Sequence, residues 1–161
     1  MANWYVAKDG NDANSGASWA LAKRTIGAAT TAAAHLDTVY IASGIYYESV
    51  TIVNKSLSLV GVGLAVIDAQ GLGSPCVYSS NGYVITATDL IVRNGTYGLQ
   101  ASGAGTKVIA TRCQVWNCSV LGIGNDSAWS FAGEVTDCLV VGCPTGIMVV
   151  TGQNAWPVNR C

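Results

Sequence analysis

The chain is short of charge. Only 11% of its 161 residues are Asp, Glu, Lys or Arg, eight basic against nine acidic, and the net charge is −1. No basic run is present, which excludes a sequence-independent nucleic-acid groove. Long apolar runs are missing too. Gly, Ser, Thr or Asn breaks the hydrophobic residues every few positions, and nothing approaches the roughly 18 apolar residues of a membrane helix. The opening Met1-Ala2-Asn3-Trp4 carries neither a basic nor an apolar region of the secretory kind. Cytoplasmic synthesis is expected, with release left to lysis or to association with a virion. There is one histidine, His35, so a Ser-His-Asp hydrolase would have to use it.

Half of the residues are nevertheless apolar, too many for disorder, and the length suffices for one domain with a core, 1–161. The arrangement is repetitive. Thr88-Asp89-Leu90-Ile91-Val92-Arg93-Asn94-Gly95 aligns with Thr111-Arg112-Cys113-Gln114-Val115-Trp116-Asn117-Cys118. Both align with Thr136-Asp137-Cys138-Leu139-Val140-Val141-Gly142-Cys143. Each is followed by a glycine-apolar pair: Gly98-Leu99, Gly122-Ile123 and Gly146-Ile147. Cys113 to Cys138 and Cys118 to Cys143 are both 25 residues apart, and Leu90 to Cys113 is 23. A period in the low twenties with short alternating strands describes a β-solenoid.

Side chains alternate faces along a strand, so one assignment fixes the rest. With Leu90, Cys113 and Cys138 inward, Val92, Val115 and Val140 are inward as well. Stacked rungs about 4.8 Å apart then pile like residues into columns. Asn94, Asn117 and Gly142 fall at a bend, where asparagine side chains can bond along the column. Upstream, Val39, Ile41, Val50, Ile52, Leu57 and Leu59 lie at period two. Between Thr25 and Leu36 the period changes: Ile26, Ala29, Ala33 and Leu36 recur at helical spacing behind a Thr25 N-cap. The expected fold is all-β, a short right-handed parallel β-helix of about four to five rungs with an N-terminal capping α-helix. The helix is expected at 25–36, the rungs at 37–152, and a tail at 153–161 in which Trp156 and Pro157 plug the last rung. A β-sandwich, with hairpins at Asn81-Gly82 or Asn94-Gly95, does not produce the double-cysteine echo.

The N-terminal third resembles the opening of the pectin-lyase-like right-handed β-helix superfamily. The matching stretches are Trp4-Tyr5-Val6, Asp9-Gly10-Asn11-Asp12, Gly16-Ala17-Ser18-Trp19, Thr25-Ile26, Asp37-Thr38-Val39-Tyr40-Ile41-Ala42-Ser43-Gly44-Ile45-Tyr46, Glu48-Ser49-Val50-Thr51-Ile52, Lys55-Ser56-Leu57-Ser58-Leu59-Val60-Gly61 and Val66-Ile67-Asp68. The resemblance implies the fold. The superfamily holds polysaccharide lyases and hydrolases, phage tailspikes and adhesins, so it leaves activity open.

The chemistry such enzymes need is sparse here. Lyases resembling the pectate lyases gather acidic Ca²⁺ ligands beside an arginine base, and glycosidases need paired carboxylates. The acids here are scattered: Asp9, Asp12, Asp37, Glu48, Asp68, Asp89, Asp126, Glu134 and Asp137. The Asn-Thr-Asp, Asp-Asp and Gly-His-Gly motifs that the polygalacturonase resemblance would require are absent. One column stands out: Asp89, Arg112 and Asp137 precede the inward Leu/Cys position on successive rungs. It reads either as a salt-bridge ladder that aligns the rungs or as a sugar-acid clamp or general-base site. Asp68 reads as a turn residue, and His35 as a residue near the helix C-terminus, where its positive charge suits the dipole.

Six cysteines read first as reduced thiols. Cys113-x₄-Cys118 and Cys138-x₄-Cys143 sit at the edge of zinc-ligand spacing, but an inward column accounts for Cys113 and Cys138 as small apolar residues. No metal or cofactor is assigned. Disulfides between stacked cysteines stay open, and Cys76 and Cys161 fall outside the repeat without a partner.

Outward, the columns run Ile91, Gln114, Leu139 and Arg93, Trp116, Val141. Ile91, Trp116, Leu139 and Val141 make an apolar strip that calls for a partner, unless a loop near 101–106 or 127–132 folds over it. The partner is expected to be the chain itself, as a homotrimer, or a larger viral particle, with a glycan as a further candidate and Trp129 and Trp156 as stacking rings. The leading expectation is a non-catalytic structural or binding module, a virion decoration or tail-fibre protein. A small polysaccharide lyase or glycoside hydrolase, and a carbohydrate-binding module, are the alternatives.

Overall fold

A computed structural model of the chain describes residues 1–125, 133–148 and 158–159. Strand β1 (Asn3–Val6) is followed by a short 3₁₀ turn at Trp19–Leu21 and the helix α1 (Ile26–Ala32). Three strands complete the first turns: β2 (Thr38–Tyr46), β3 (Val50–Ile52) and β4 (Leu57–Asp68). Then come β5 (Val77–Ser80), β6 (Val84–Arg93), β7 (Tyr97–Ser102), β8 (Lys107–Thr111), β9 (Gln114–Trp116) and β10 (Leu121–Asn125). The chain continues with β11 (Glu134–Thr136), β12 (Leu139–Val141), β13 (Thr145–Met148) and β14 (Val158–Asn159). All pairings are parallel. One sheet runs β1-β2-β4-β6-β8-β11-β14, with β9 joined to β6 and β12 to β9; the other runs β13-β10-β7-β5-β3. The result is the expected parallel β-solenoid, of about four turns.

Register turns the repeat into columns. Val92 faces Val115, and Val115 faces Val140. Leu90, Cys113 and Cys138 are buried, as are Val92 and Val115, while Val140 is partly buried against the same core. The corners between strands are made by left-handed residues. Asp89, Arg112 and Asp137 have φ of 54°, 51° and 52°, and Asn94, Asn117 and Gly142 have 61°, 53° and 70°. Asn and Asp tolerate this region because their short polar side chains bond locally. The glycine-apolar pairs serve close approach: a Cβ on Gly98 would collide with the Gly122 carbonyl and the Val115 side chain of the next rung.

One corner departs from the pattern. Where β6 turns on Asp89 alone, β4 inserts Gly61-Val62-Gly63-Leu64 between Val60 and Ala65. This bulge leaves Leu64 67% exposed and Val62 43% exposed. A Cβ on Gly61 would strike the Asp89 carbonyl, so the two rungs touch backbone to backbone there.

The helix is shorter than the expected 25–36. Thr25 caps it by accepting the Ala28 N–H at 3.2 Å. Ala33 is already extended and Leu36 has φ 69°, 51% exposed rather than inward. The reason is competition for the chain's polar groups. Asp37 takes the Ala34 N–H at 2.8 Å, and the Lys55 ammonium takes the carbonyls of Thr31 and Ala33 at 3.1 and 2.7 Å. His35 therefore lies beyond the helix, and its Nδ1 accepts the Ser56 N–H at 3.0 Å. Strand β1 precedes the helix and pairs with β2, Asn3 to Thr38, so the sheet begins before the cap. The tail residues Trp156 and Pro157 lie outside the described residues, while Val158 and Asn159 pair with Val135 and Thr136.

Val115 is fully buried in the middle of its column. Replacing it with Asp is expected to cost more than about 3 kcal/mol, because an unpaired charge would lie in the core. Urea unfolding followed by circular dichroism measures this. A variant with wild-type midpoint would mean that the strand does not hold this register.

Candidate functional site

The corner column that could carry chemistry is held together as an ion pair. Arg112 donates from Nε to Asp89 Oδ1 and from an Nη to Asp89 Oδ2, both at 2.7 Å. This fork-on-carboxylate geometry keeps Asp89 well below its ordinary pKa and raises that of Arg112, with Asp137 adding a weaker pull on the guanidinium. Arg112 in this state is no general base, and Asp89 is no general acid at neutral pH. Both side chains are substantially exposed, 55% and 40%. They line a shallow groove of about 180 Å³ with Gly63, Leu64, Leu90, Ile91 and Gln114.

Most of the other acids are committed to holding the fold. Asp12 accepts the backbone N–H of Arg24 and Thr25 and the Thr25 hydroxyl. Asp37 takes the N–H of Ala2, the indole N–H of Trp4 at 3.0 Å and the N–H of Ala34. Glu48 receives the first N–H groups of α1, Ile26 at 3.0 Å and Gly27 at 2.8 Å. Asp68 is 1% exposed. It accepts from Arg93 Nε at 2.8 Å, Asn94 Nδ2 at 2.9 Å and the Gln70 N–H at 3.1 Å. Burial alone would push Asp68 up, yet the bonds from Asn94, Arg93 and Gln70 hold it below the usual carboxylate range. Asp37 is held down chiefly by the Ala2 N–H and the Trp4 indole, and Asp12 by Thr25 and Arg24 against its own burial.

The Asp68 network was not anticipated from the sequence, where Asp68 read as a plain turn residue. A signal was available: Arg93 follows Asp68 by 25 residues, the same step that separates the cysteine pairs.

The cysteines form two inward groups. Cys113 donates its backbone N–H to Cys138 Sγ at 3.4 Å, and Cys118 donates to Cys143 Sγ at 3.3 Å. The thiols of Cys76, Cys113, Cys118, Cys138 and Cys143 are free. The Cys138 thiol and burial together push Cys113 up. Cys76 joins the second group. Its Sγ fills the space that a side chain on Gly95 would need, and its thiol meets that of Cys118. The repeat hid this pairing because the intervening rung has glycine. Cys161, Asp126 and Trp129 lie outside the described residues.

Outside, Ile91 faces Gln114 and Gln114 faces Leu139, while Arg93, Trp116 and Val141 align beside them. Leu139 and Val141 are exposed, and Ile91 and Trp116 are half-buried. Ile45 and Val66 continue the first column toward the N-terminus. Tyr5 stacks on Tyr40 at 5.6 Å, and Trp19 packs edge-on against Tyr5 at 4.8 Å. These rings face one another rather than forming an open platform. Among the described residues, no helix is long and apolar enough to cross a membrane.

No protein-family model matches the chain, and no curated protein sequence does. Among solved structures, one named rhamnogalacturonan lyase is similar over 98% of this chain and 65% of its own length. The identity is 13% and the TM-score 0.43. This is a likeness of fold alone, and the chain spans less than two thirds of that structure.

Four carboxylates with depressed pKa, Asp12, Asp37, Asp68 and Asp89, set the acid stability. Their contribution is present above the unfolded carboxylate pKa of about 3.9 and is lost as pH falls through the lower folded values. The melting temperature is therefore expected to drop steeply below about pH 4. Asp68→Asn should lower it at neutral pH and make that acid limb shallower. Thermal melts from pH 2 to 7 check this; an unchanged acid limb would remove Asp68 from the account.

Proposed function

We propose that this chain is a non-catalytic β-helix module with a structural or binding role, acting through its outer apolar strip. One observation carries the reading: the carboxylates that a lyase or hydrolase would need are engaged as backbone and arginine acceptors. Asp12, Asp37 and Glu48 anchor the N-terminal cap, Asp68 locks Arg93 and Asn94, and Asp89 holds Arg112. A catalytic acid must change its protonation during turnover. Protonating these groups would instead loosen the cap and corners.

The partner is a second copy of the chain or a larger particle. Ile91, Trp116, Leu139 and Val141 on stacked rungs give a firm, charge-poor surface. Closed symmetry is the default for copies of one chain, and a trimer is the arrangement we favour. A component of a virion, as decoration or fibre, is the specific form proposed, resting on fold analogy alone. The glycan-enzyme alternative would use the groove beside Asp89 and Arg112. The carbohydrate-binding alternative is weakened by Tyr5, Trp19 and Tyr40, which pack on one another.

Two measurements decide between these readings. Trp116→Lys should weaken assembly far more than folding, because Trp is a frequent interface anchor. Light scattering on wild type and variant, beside thermal melts, tests it; a wild type that stays monomeric at high concentration removes the self-assembly form. Arg112→Ala should change stability little and abolish no activity. Loss of a measurable glycan-cleaving activity on that substitution would overturn the non-catalytic reading.

A further inference from the structure

The inward cysteines are more than filler for the core in one respect: they stack sulfur on sulfur. Cys113 and Cys138 occupy the same position on successive rungs, each beside an inward valine. Cys76, Cys118 and Cys143 make the second group, in which Cys118 touches both neighbours. Rungs repeat at about 4.8 Å. A sulfur–metal bond of about 2.3 Å, as for zinc, gives a linear sulfur–metal–sulfur unit of about 4.6 Å. A two-coordinate ion therefore fits between stacked cysteines with little movement of either rung.

The chemistry of the surroundings selects the ion. Among the described residues no three His, Cys, Asp or Glu side chains converge as a metal site, so a tetrahedral divalent ion has no cage. The sulfurs sit among apolar side chains, with no carboxylate in either group. Thiolates in pairs suit a soft monovalent ion, and copper(I) is the biological example. Two thiolates around one such ion leave a single negative charge. The backbone N–H of Cys113 on Cys138 Sγ, and that of Cys118 on Cys143 Sγ, already point at the sulfur that would carry it.

We propose that the two stacked cysteine groups bind copper(I), one ion between Cys113 and Cys138 and one on Cys118 with Cys143 or Cys76. Binding is a ligand exchange without electron transfer. Each of the two thiols gives its proton to water, two sulfur–copper bonds form, and copper stays in the monovalent state. Cys143, half-buried on the last described turn, provides the way in.

The test uses the reduced full-length chain in a Cys161→Ser background, titrated anaerobically with copper(I) against a chromophoric copper(I) chelator. Two ions per chain are expected, with a rise in melting temperature and unchanged strand circular dichroism. Cys113→Ala with Cys138→Ala should lose one ion, and Cys118→Ala the other. If the alanine variants fold poorly, valine at the same positions fills the columns and serves instead. Several outcomes overturn the proposal: no more copper bound than by the variants, binding only with loss of strand signal, or fewer than five thiols on counting in denaturant, which would mean disulfides.

Discussion

A left-handed residue at the same place in each turn is the constraint on which this molecule depends. The chain must bend between strands without losing register, and a single residue with positive φ does so in the least space. Asp89, Arg112 and Asp137 do it at one corner, and Asn94, Asn117 and Gly142 at the other. Because each corner takes one residue, the strands on both sides keep their parity. Val92, Val115 and Val140 then fall on one line, as do the cysteines. Arg112 is the least suited of the six to this conformation. Its forked bond to Asp89 on the preceding rung gives a local reason for the bend to persist.

The same constraint explains where the polar groups went. A solenoid corner exposes backbone that must be satisfied, and a charge-poor chain has few side chains for the task. The structure uses nearly all of them. Glu48 answers the first N–H groups of α1, Lys55 its last carbonyls, and Asp37 the turn that follows. Asp68 plays this part inside the stack, joining one rung to the next through Arg93 and Asn94.

Much of this was legible in the chain. The 25-residue echo of paired cysteines placed the inward and outward columns, and alternation carried them along each strand. The end of α1 was not legible, because it depends on Asp37 and Lys55, which are remote from the helical pattern and act through backbone groups. The bulge at Gly61–Leu64 was missed for a related reason. It keeps the hydrophobic alternation on both sides while adding residues at the corner, so the period stretches without a visible break. Cys76 was left unpaired because its neighbour on the adjoining rung is Gly95, and a missing side chain leaves no mark in a comparison of side chains.

These features also bear on where function can reside. An interior packed with valine, isoleucine and stacked sulfur offers no space for a substrate. Corners whose acids are tied to backbone or arginine offer little proton chemistry. What remains is the outer surface, and it is uneven. The face with Tyr5 and Tyr40 turns its rings on themselves. The face with Ile91, Trp116, Leu139 and Val141 is flat, poor in charge and bordered by the protruding Leu64. Its one cation, Arg93, is already bound to Asp68. Leaving such a face in water carries a hydrophobic penalty that burial against a partner would remove. Because the rungs beneath it are fixed by their corners, the surface is organised before any partner arrives, and little side-chain or backbone ordering would oppose association.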